Sequence, residues 1–200
     1  MSDEYRVFGF DPSLRGFGIS DGDRHHVIST GSDQALHDRV DALVEDIDAF
    51  MYGPSHPMNW PKQMWCIEAP MLAQTPHGGS HLYEIGHVMR AITSELADSV
   101  REAGVELVVL EVAIGTLRHF TVGLGNAPKD MLAYMVREIY GVTFERDRGC
   151  DKLVAWSLVQ YGRAVLARTT THNFIAPRGQ GRDERANQRA AARTRKANVA

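Results

Sequence analysis

The stretch Val7-Phe-Gly-Phe-Asp-Pro-Ser-Leu-Arg-Gly-Phe-Gly-Ile-Ser20 decides how the rest of the chain is read. It opens as an apolar run that ends in a carboxylate, Asp11. A Pro-Ser turn follows, then a second apolar run punctuated by Gly16 and Gly18. Two such runs joined by a turn predict a β-hairpin with an acid at the end of a buried first strand. An acid there is costly unless something pairs with it. Mg2+ suits it, because hard cations take carboxylate oxygens.

Other acids stand where they can share such an ion. Met64-Trp-Cys-Ile-Glu-Ala-Pro70 is another short apolar run ending in an acid, Glu68. Asp147 and Asp151 precede or open a helical segment, Asp151 to Leu166, and a spacing of four puts both on one helix face. Two strand-end acids and a helix-borne pair predict a carboxylate cluster. Such clusters suit two-metal phosphodiester chemistry, in which ions about 3.5–4 Å apart activate a water and stabilise the leaving oxygen.

Along the chain, residues 5–10, 15–20 and 24–29 read as a three-strand meander with turns at Pro12-Ser13 and Asp21-Gly22-Asp23. Ser32 to Met51 is a helical pattern with Leu36, Val40, Leu43, Val44, Ile47 and Phe50 on one stripe. Residues 52–62 read as a loop, 64–68 as a strand, and Ala73 to Ser80 as a mobile loop. Leu82 to Ala103 is a long amphipathic helix ended by Gly104. Glu106 to Val112 is strand-like, and Pro128 to Tyr140 is a helix with Pro near its first turn. Three strands followed by alternating helices and strands predict an α/β fold. Its mixed sheet has antiparallel early hairpins, parallel later strands and flanking helices.

The 200-residue length fits one domain with a sizeable core. With 44% apolar and 24% charged residues the composition is that of a soluble globular protein. No apolar run approaches the ~18 residues of a membrane span. The acidic start, Met-Ser-Asp-Glu, has no apolar signal region. Cys66 and Cys150 make no disulfide framework, so the reading is a cytoplasmic protein. No histidine combines with cysteine at zinc-ligand spacing. Beyond about Thr169 large apolar residues vanish. Residues 177–200 carry seven Lys or Arg against two Asp or Glu, leaving 15 against 23 in residues 1–176. A basic arm on an acidic body predicts contact with a polyanion, or simply a solubilising tail.

Four blocks in this order resemble the RuvC family of Holliday junction resolvases. Phe8-Gly-Phe-Asp-Pro-Ser-Leu-Arg-Gly-Phe-Gly18 resembles its opening Gly-Ile-Asp-Pro-Gly segment, and Ile67-Glu68 its second acidic motif. Arg118-His-Phe-Thr-Val-Gly-Leu-Gly-Asn-Ala-Pro-Lys129, followed by Met135-Val-Arg137, resembles its basic motif. Asp151-Lys-Leu-Val-Ala-Trp-Ser-Leu resembles its closing helix. The resemblance implies an RNase H-like nuclease domain over residues 1–168 and a basic, flexible tail over 169–200. The tail and the variable loop look more like bacteriophage members.

What the resemblance implies is a Mg2+-dependent endonuclease, with two ions per site and Mn2+ able to substitute, acting as a homodimer on four-way DNA junctions by paired symmetric nicks. Asp11, Glu68, Asp147 and Asp151 would hold metal. Lys129 would stand at the scissile phosphate, and Arg15, Arg118 and Arg137 would contact the DNA backbone. The Leu82–Ala103 helix matches the segment through which the family dimerises. Two departures stand out. The fourth acid falls at Asp147 because Arg148 occupies the usual position, and Met71 replaces an aromatic after the second acid. Alternatives are a same-fold nuclease for forks, flaps or RNA hybrids, a junction-binding module that does not cut, and an actin-like ATPase, for which the chain is short.

Overall fold

The structure, a computed structural model, describes residues 5–53, 60–69, 86–145, 147 and 149–167. The expected loop at 73–80, the first residues of the long helix, Met71 and the basic tail lie outside the described residues. Residues Met1–Ala164 form one compact unit.

Strands β1 (Arg6–Asp11), β2 (Phe17–Ser20) and β3 (His25–Ile28) form the meander, and β4 (Lys62–Ala69) and β5 (Glu106–Ala113) complete a five-stranded sheet in the order β3-β2-β1-β4-β5. The β1–β2 and β2–β3 pairs are antiparallel; β1–β4 and β4–β5 are parallel. Helix α1 (Leu36–Tyr52) joins β3 to β4. It starts at Leu36, the first residue of its apolar stripe, rather than at the expected Ser32; Gln34 Oε1 accepts the Gly31 N–H at 3.2 Å and closes a turn there. The helix before β5 runs from residue 86, passes through a π-helical stretch, Ala91–Leu96, and ends as α2 (Ala97–Glu102). Thr93 and Ser94 hydroxyls donate to carbonyls one turn back, Met89 and Arg90, a bond that competes with the regular helix ladder. Then follow α3 (Ile114–Val122), α4 (Lys129–Tyr140) and α5 (Asp151–Leu166). Among the described residues no helix is long and apolar enough to cross a membrane.

The period of two along a strand divides the core. Phe8, Phe10, Trp65 and Ile67 are fully buried with Leu43, Ile47 and Met51 of α1, and with Val88, Ile92, Leu96 and Val100 of the π-containing helix. Removing each such side chain from water contributes about 1.5–3 kcal/mol. The alternate positions, Val7 and Gly9 on β1 and Met64 and Cys66 on β4, face α5. That helix lies against the sheet because two glycines let it. A Cβ on Gly9 would stand 2.0 Å from the Ala155 carbonyl oxygen, and one on Gly162 would stand 2.6 Å from Cys66 Sγ.

One buried acid ties the meander together. Asp21, fully buried, accepts from Arg6 at 2.9 Å and Arg24 at 2.8 Å, and from the backbone N–H groups of Asp23 and Arg24. Arg24 continues to the Phe50 carbonyl at the end of α1, and Arg163 of α5 donates to the Asp21 carbonyl. Burial raises the Asp21 pKa, but the donors outweigh it and hold the pKa at about 2. A depressed folded-state pKa contributes stability above the unfolded value near 4, and that stability is lost as pH falls toward 2. Acid titration of the melting temperature is therefore expected to show a loss of about 2 kcal/mol between pH 4 and 2, and Asp21→Asn is expected to remove that slope.

Candidate active site

Phe10 of β1 and Ile67 of β4 are register partners, and each strand continues by one residue into an acid. Alternation puts Asp11 on the face of Val7 and Gly9, and Glu68 on the face of Met64 and Cys66. Both carboxyls therefore emerge side by side under α5, where they are hydrogen-bonded to each other.

Helix α5 delivers the third acid as its first residue. Asp151 lies over Gly18, the β2 partner of Asp11. A Cβ on Gly18 would be 2.2 Å from the Asp151 carbonyl oxygen and 3.2 Å from Asp11 Cβ. The Asp151 carboxylate is wedged between Gly16 and Gly149, where a Cβ would come within 2.7 and 2.3 Å of Oδ2.

The three acids burden one another. Burial pushes the Asp11 pKa well above the usual carboxylate range, Glu68 and Asp151 push it further, and Lys129 opposes them. Burial also raises Glu68, against the Asp11 hydrogen bond and the charges of Lys129 and Arg118. Asp151 is raised by burial and by Asp147, again opposed by Lys129.

Lys129 opens α4, and its Nζ donates to the Gly149 carbonyl at 2.5 Å. Arg118 sits on α3, half-buried, with its Nε enclosed and, among the described residues, without a hydrogen-bond partner. Arg15 is exposed in the turn after β1, where its backbone N–H meets Ser13 Oγ at 3.2 Å. Arg137 stands apart: it pairs with Glu138 at 3.0 Å and lies over the Tyr134 ring. Asp11, Glu68, Asp151, Lys129 and Arg118 thus converge, Arg15 stands at the rim, and Arg137 does not reach the acids.

Asp147 is placed differently from the expected metal ligand. Its two oxygens accept the N–H groups of Lys152 at 3.2 Å and Leu153 at 3.0 Å, and its carbonyl accepts from Cys150. These are the free donors of the first turn of α5, so Asp147 caps the helix. It does so from outside the usual cap position, which Cys150 occupies in the left-handed region at φ 61. A non-glycine residue there costs on the order of 1–3 kcal/mol. The Cys66 thiol is pushed up to about 12 by burial, consistent with a packing role.

Two features escaped the sequence reading. Helix α3 is only nine residues long and contains Gly115 and Thr116, so its periodicity is weak. Arg39 resembles a solvated helix position but is buried. Its guanidinium donates to the Leu14 carbonyl at 3.0 Å and Thr30 Oγ1 at 2.9 Å, which fixes the turn between Asp11 and Arg15.

Among the described residues no group of three or more His, Cys, Asp or Glu side chains stands close enough to hold a metal ion as it is. The chemistry of the donors nonetheless suits a hard divalent cation: Asp11 and Glu68 are hydrogen-bonded to each other, Asp151 is near enough to raise the Asp11 pKa, and all three offer carboxylate oxygens.

The fold has counterparts among solved structures. The chain is similar to the Thermus thermophilus RuvC structure at 20% identity, over 82% of this chain and 96% of that one, with a TM-score of 0.54. It is also similar to T. thermophilus RuvC in complex with Holliday junction substrate at 18% identity, over 80% of this chain and 95% of that one, with a TM-score of 0.57. The fold is RuvC-like. No protein-family model and no curated protein matches the sequence. The mixed sheet and flanking helices of this RuvC-like, RNase H-like fold agree with the architecture expected from the sequence.

Two measurements check the site. Asp11 has a raised folded-state pKa, so its ionisation opposes folding and stability falls as pH rises above its unfolded value. Asp11→Asn is therefore expected to melt higher than wild type at neutral pH without divalent cations, and to lose the stabilisation that added Mg2+ gives wild type. Replacing the cap, Asp147→Ala is expected to cost about 1 kcal/mol in urea denaturation, and Asp147→Asn or Asp147→Ser to recover most of it.

Proposed function

We propose that this protein is a Mg2+-dependent endonuclease that resolves four-way DNA junctions. The observation that carries the reading is the convergence of Asp11, Glu68 and Asp151 beside the cations Lys129 and Arg118 on a RuvC-like fold. One of the similar structures is RuvC bound to a Holliday junction substrate, which makes branched DNA the first substrate to test.

Asp11, Glu68 and Asp151 would hold two Mg2+ ions. The chemistry such ions would supply there is a water of lowered pKa and positive charge beside the departing oxygen. The chain's own groups do the rest. Lys129 and Arg118 lower the cost of gathering three carboxylates, and offer N–H donors to a phosphate whose charge grows in the transition state. Asp147 fixes the first turn of α5 and so the position of Asp151. No Ser or Cys nucleophile is required, in keeping with the inert Cys66. Two symmetric nicks require two sites, which a C2 homodimer supplies. The long helix before β5 is the proposed interface, and the soluble chain would act in the cytoplasm. The tail over 169–200, outside the described residues, would add phosphate contacts.

Purified protein with Mg2+ is expected to nick a labelled four-way junction symmetrically and to leave linear duplex intact. Glu68→Gln is expected to abolish cleavage while keeping junction binding, and Lys129→Ala to slow cleavage at least tenfold. Cleavage chiefly of forks, flaps or RNA–DNA hybrids would move the substrate within the same chemistry. Binding without cleavage would make the protein a junction-binding module.

A further inference from the structure

A second cavity, of about 360 Å3, adjoins the acids on the side of the meander. Its walls are the β1–β2 turn, β3 and the start of α5, and Arg15, His26, Ser29, Asp151 and Lys152 line it. It shares Asp151 with the acid cluster and so adjoins it.

The charges of this cavity suit an anion. Arg15 is exposed, and among the described residues its guanidinium has no partner. Lys152 Nζ is held by the Glu145 carbonyl at 3.1 Å, which steadies the ammonium without neutralising it. His26 and Ser29 are exposed and offer N–H and O–H donors. Strand alternation separates His26 from its neighbour: His25 turns the other way, meets Ser20 Oγ at 2.9 Å and packs on Phe144. Of the two acids in the wall, Asp147 has both oxygens committed to the α5 N–H groups. Asp151 faces the acid cluster between Gly16 and Gly149. The rim therefore presents two cations and two further donors, beside the carboxylates of Asp147 and Asp151.

Its position decides which anion. If the scissile phosphate lies at Asp11 and Glu68, the neighbouring phosphate of the strand would come within reach of this cavity, which shares Asp151 with the cluster. The space holds a phosphodiester with its sugar and gives no flat apolar wall for a base. We infer that the cavity between the β1–β2 turn, β3 and the start of α5 is a second phosphate subsite, in which Arg15, His26, Ser29 and Lys152 hold the phosphodiester next to the scissile one. This rests on the nuclease reading above. Its role is positional: gripping the neighbouring phosphate fixes the cut strand before chemistry, and the clamp of Arg39 on the Leu14 carbonyl holds Arg15 at the rim.

The test is binding of a fluorescent four-way DNA junction to the full chain over a range of salt concentrations, for wild type, Arg15→Ala, His26→Ala and the double variant. These residues are exposed, and unchanged melting temperatures show that each variant folds. Each lost phosphate contact reduces the slope of log K against log salt by about 0.9. The double variant is expected to bind more weakly and with a shallower slope. A junction with one neutral methylphosphonate beside the cleavage point is expected to bind wild type several-fold more weakly, and the double variant no differently. Unchanged slope and affinity in the double variant, with wild type binding and cutting normally, would overturn the subsite and leave the nuclease reading standing. A wild-type protein that neither binds nor cuts branched DNA would overturn both.

Discussion

The close approach of α5 to the sheet is the contact on which the site depends. Gly9 and Gly18 on the strands and Gly162 on the helix remove the side chains that would hold the two apart. The helix axis then sits near enough for its first residue, Asp151, to lie over Asp11. Any side chain at Gly18 would displace the Asp151 backbone itself, because the nearest atom is a carbonyl oxygen rather than a flexible tip. The acid cluster is thus a consequence of backbone packing more than of side-chain reach.

That geometry gathers like charges in a place poor in water, which opposes folding. The structure offsets the cost locally. Asp11 and Glu68 are hydrogen-bonded to each other, and Lys129 and Arg118 bring positive charge from α4 and α3. Asp147 secures the helix end that carries Asp151 even though Cys150 must adopt a left-handed backbone to allow it. Strain and crowded charge at one spot are familiar at functional sites, and the surrounding fold sustains them. Asp21 does the opposite work at the far side of the meander. Its buried charge is fully met by donors and joins β1, β3, α1 and α5. The two buried acid centres have contrary electrostatics: one pKa is held at about 2, and the other is raised well above its usual range.

Much of this was legible in the residues. Apolar runs with period two, ended by Asp11 and Glu68, declared two strands with acids at their ends. The stripe at 36–50 and the run at 151–166 declared helices, because a period of 3.6 survives any tertiary arrangement. Parallel β1–β4 pairing follows from a helical crossover between the strands. Helix α3 was not legible, since nine residues containing Gly115 and Thr116 carry little periodic signal and depend on packing beside β5 and α4.

The sequence by itself determined which carboxylates sit at element ends, and with them the chemistry the chain can perform, because strand and helix periodicity are local properties. Only the tertiary structure decided which of those carboxylates meet. Asp11 and Glu68 pair because register sets adjacent strand ends side by side. Asp151 joins them because glycines let α5 descend. Asp147, four residues before Asp151, bonds the otherwise unsatisfied N–H groups of the helix it precedes, a contact that exists only once that helix has formed.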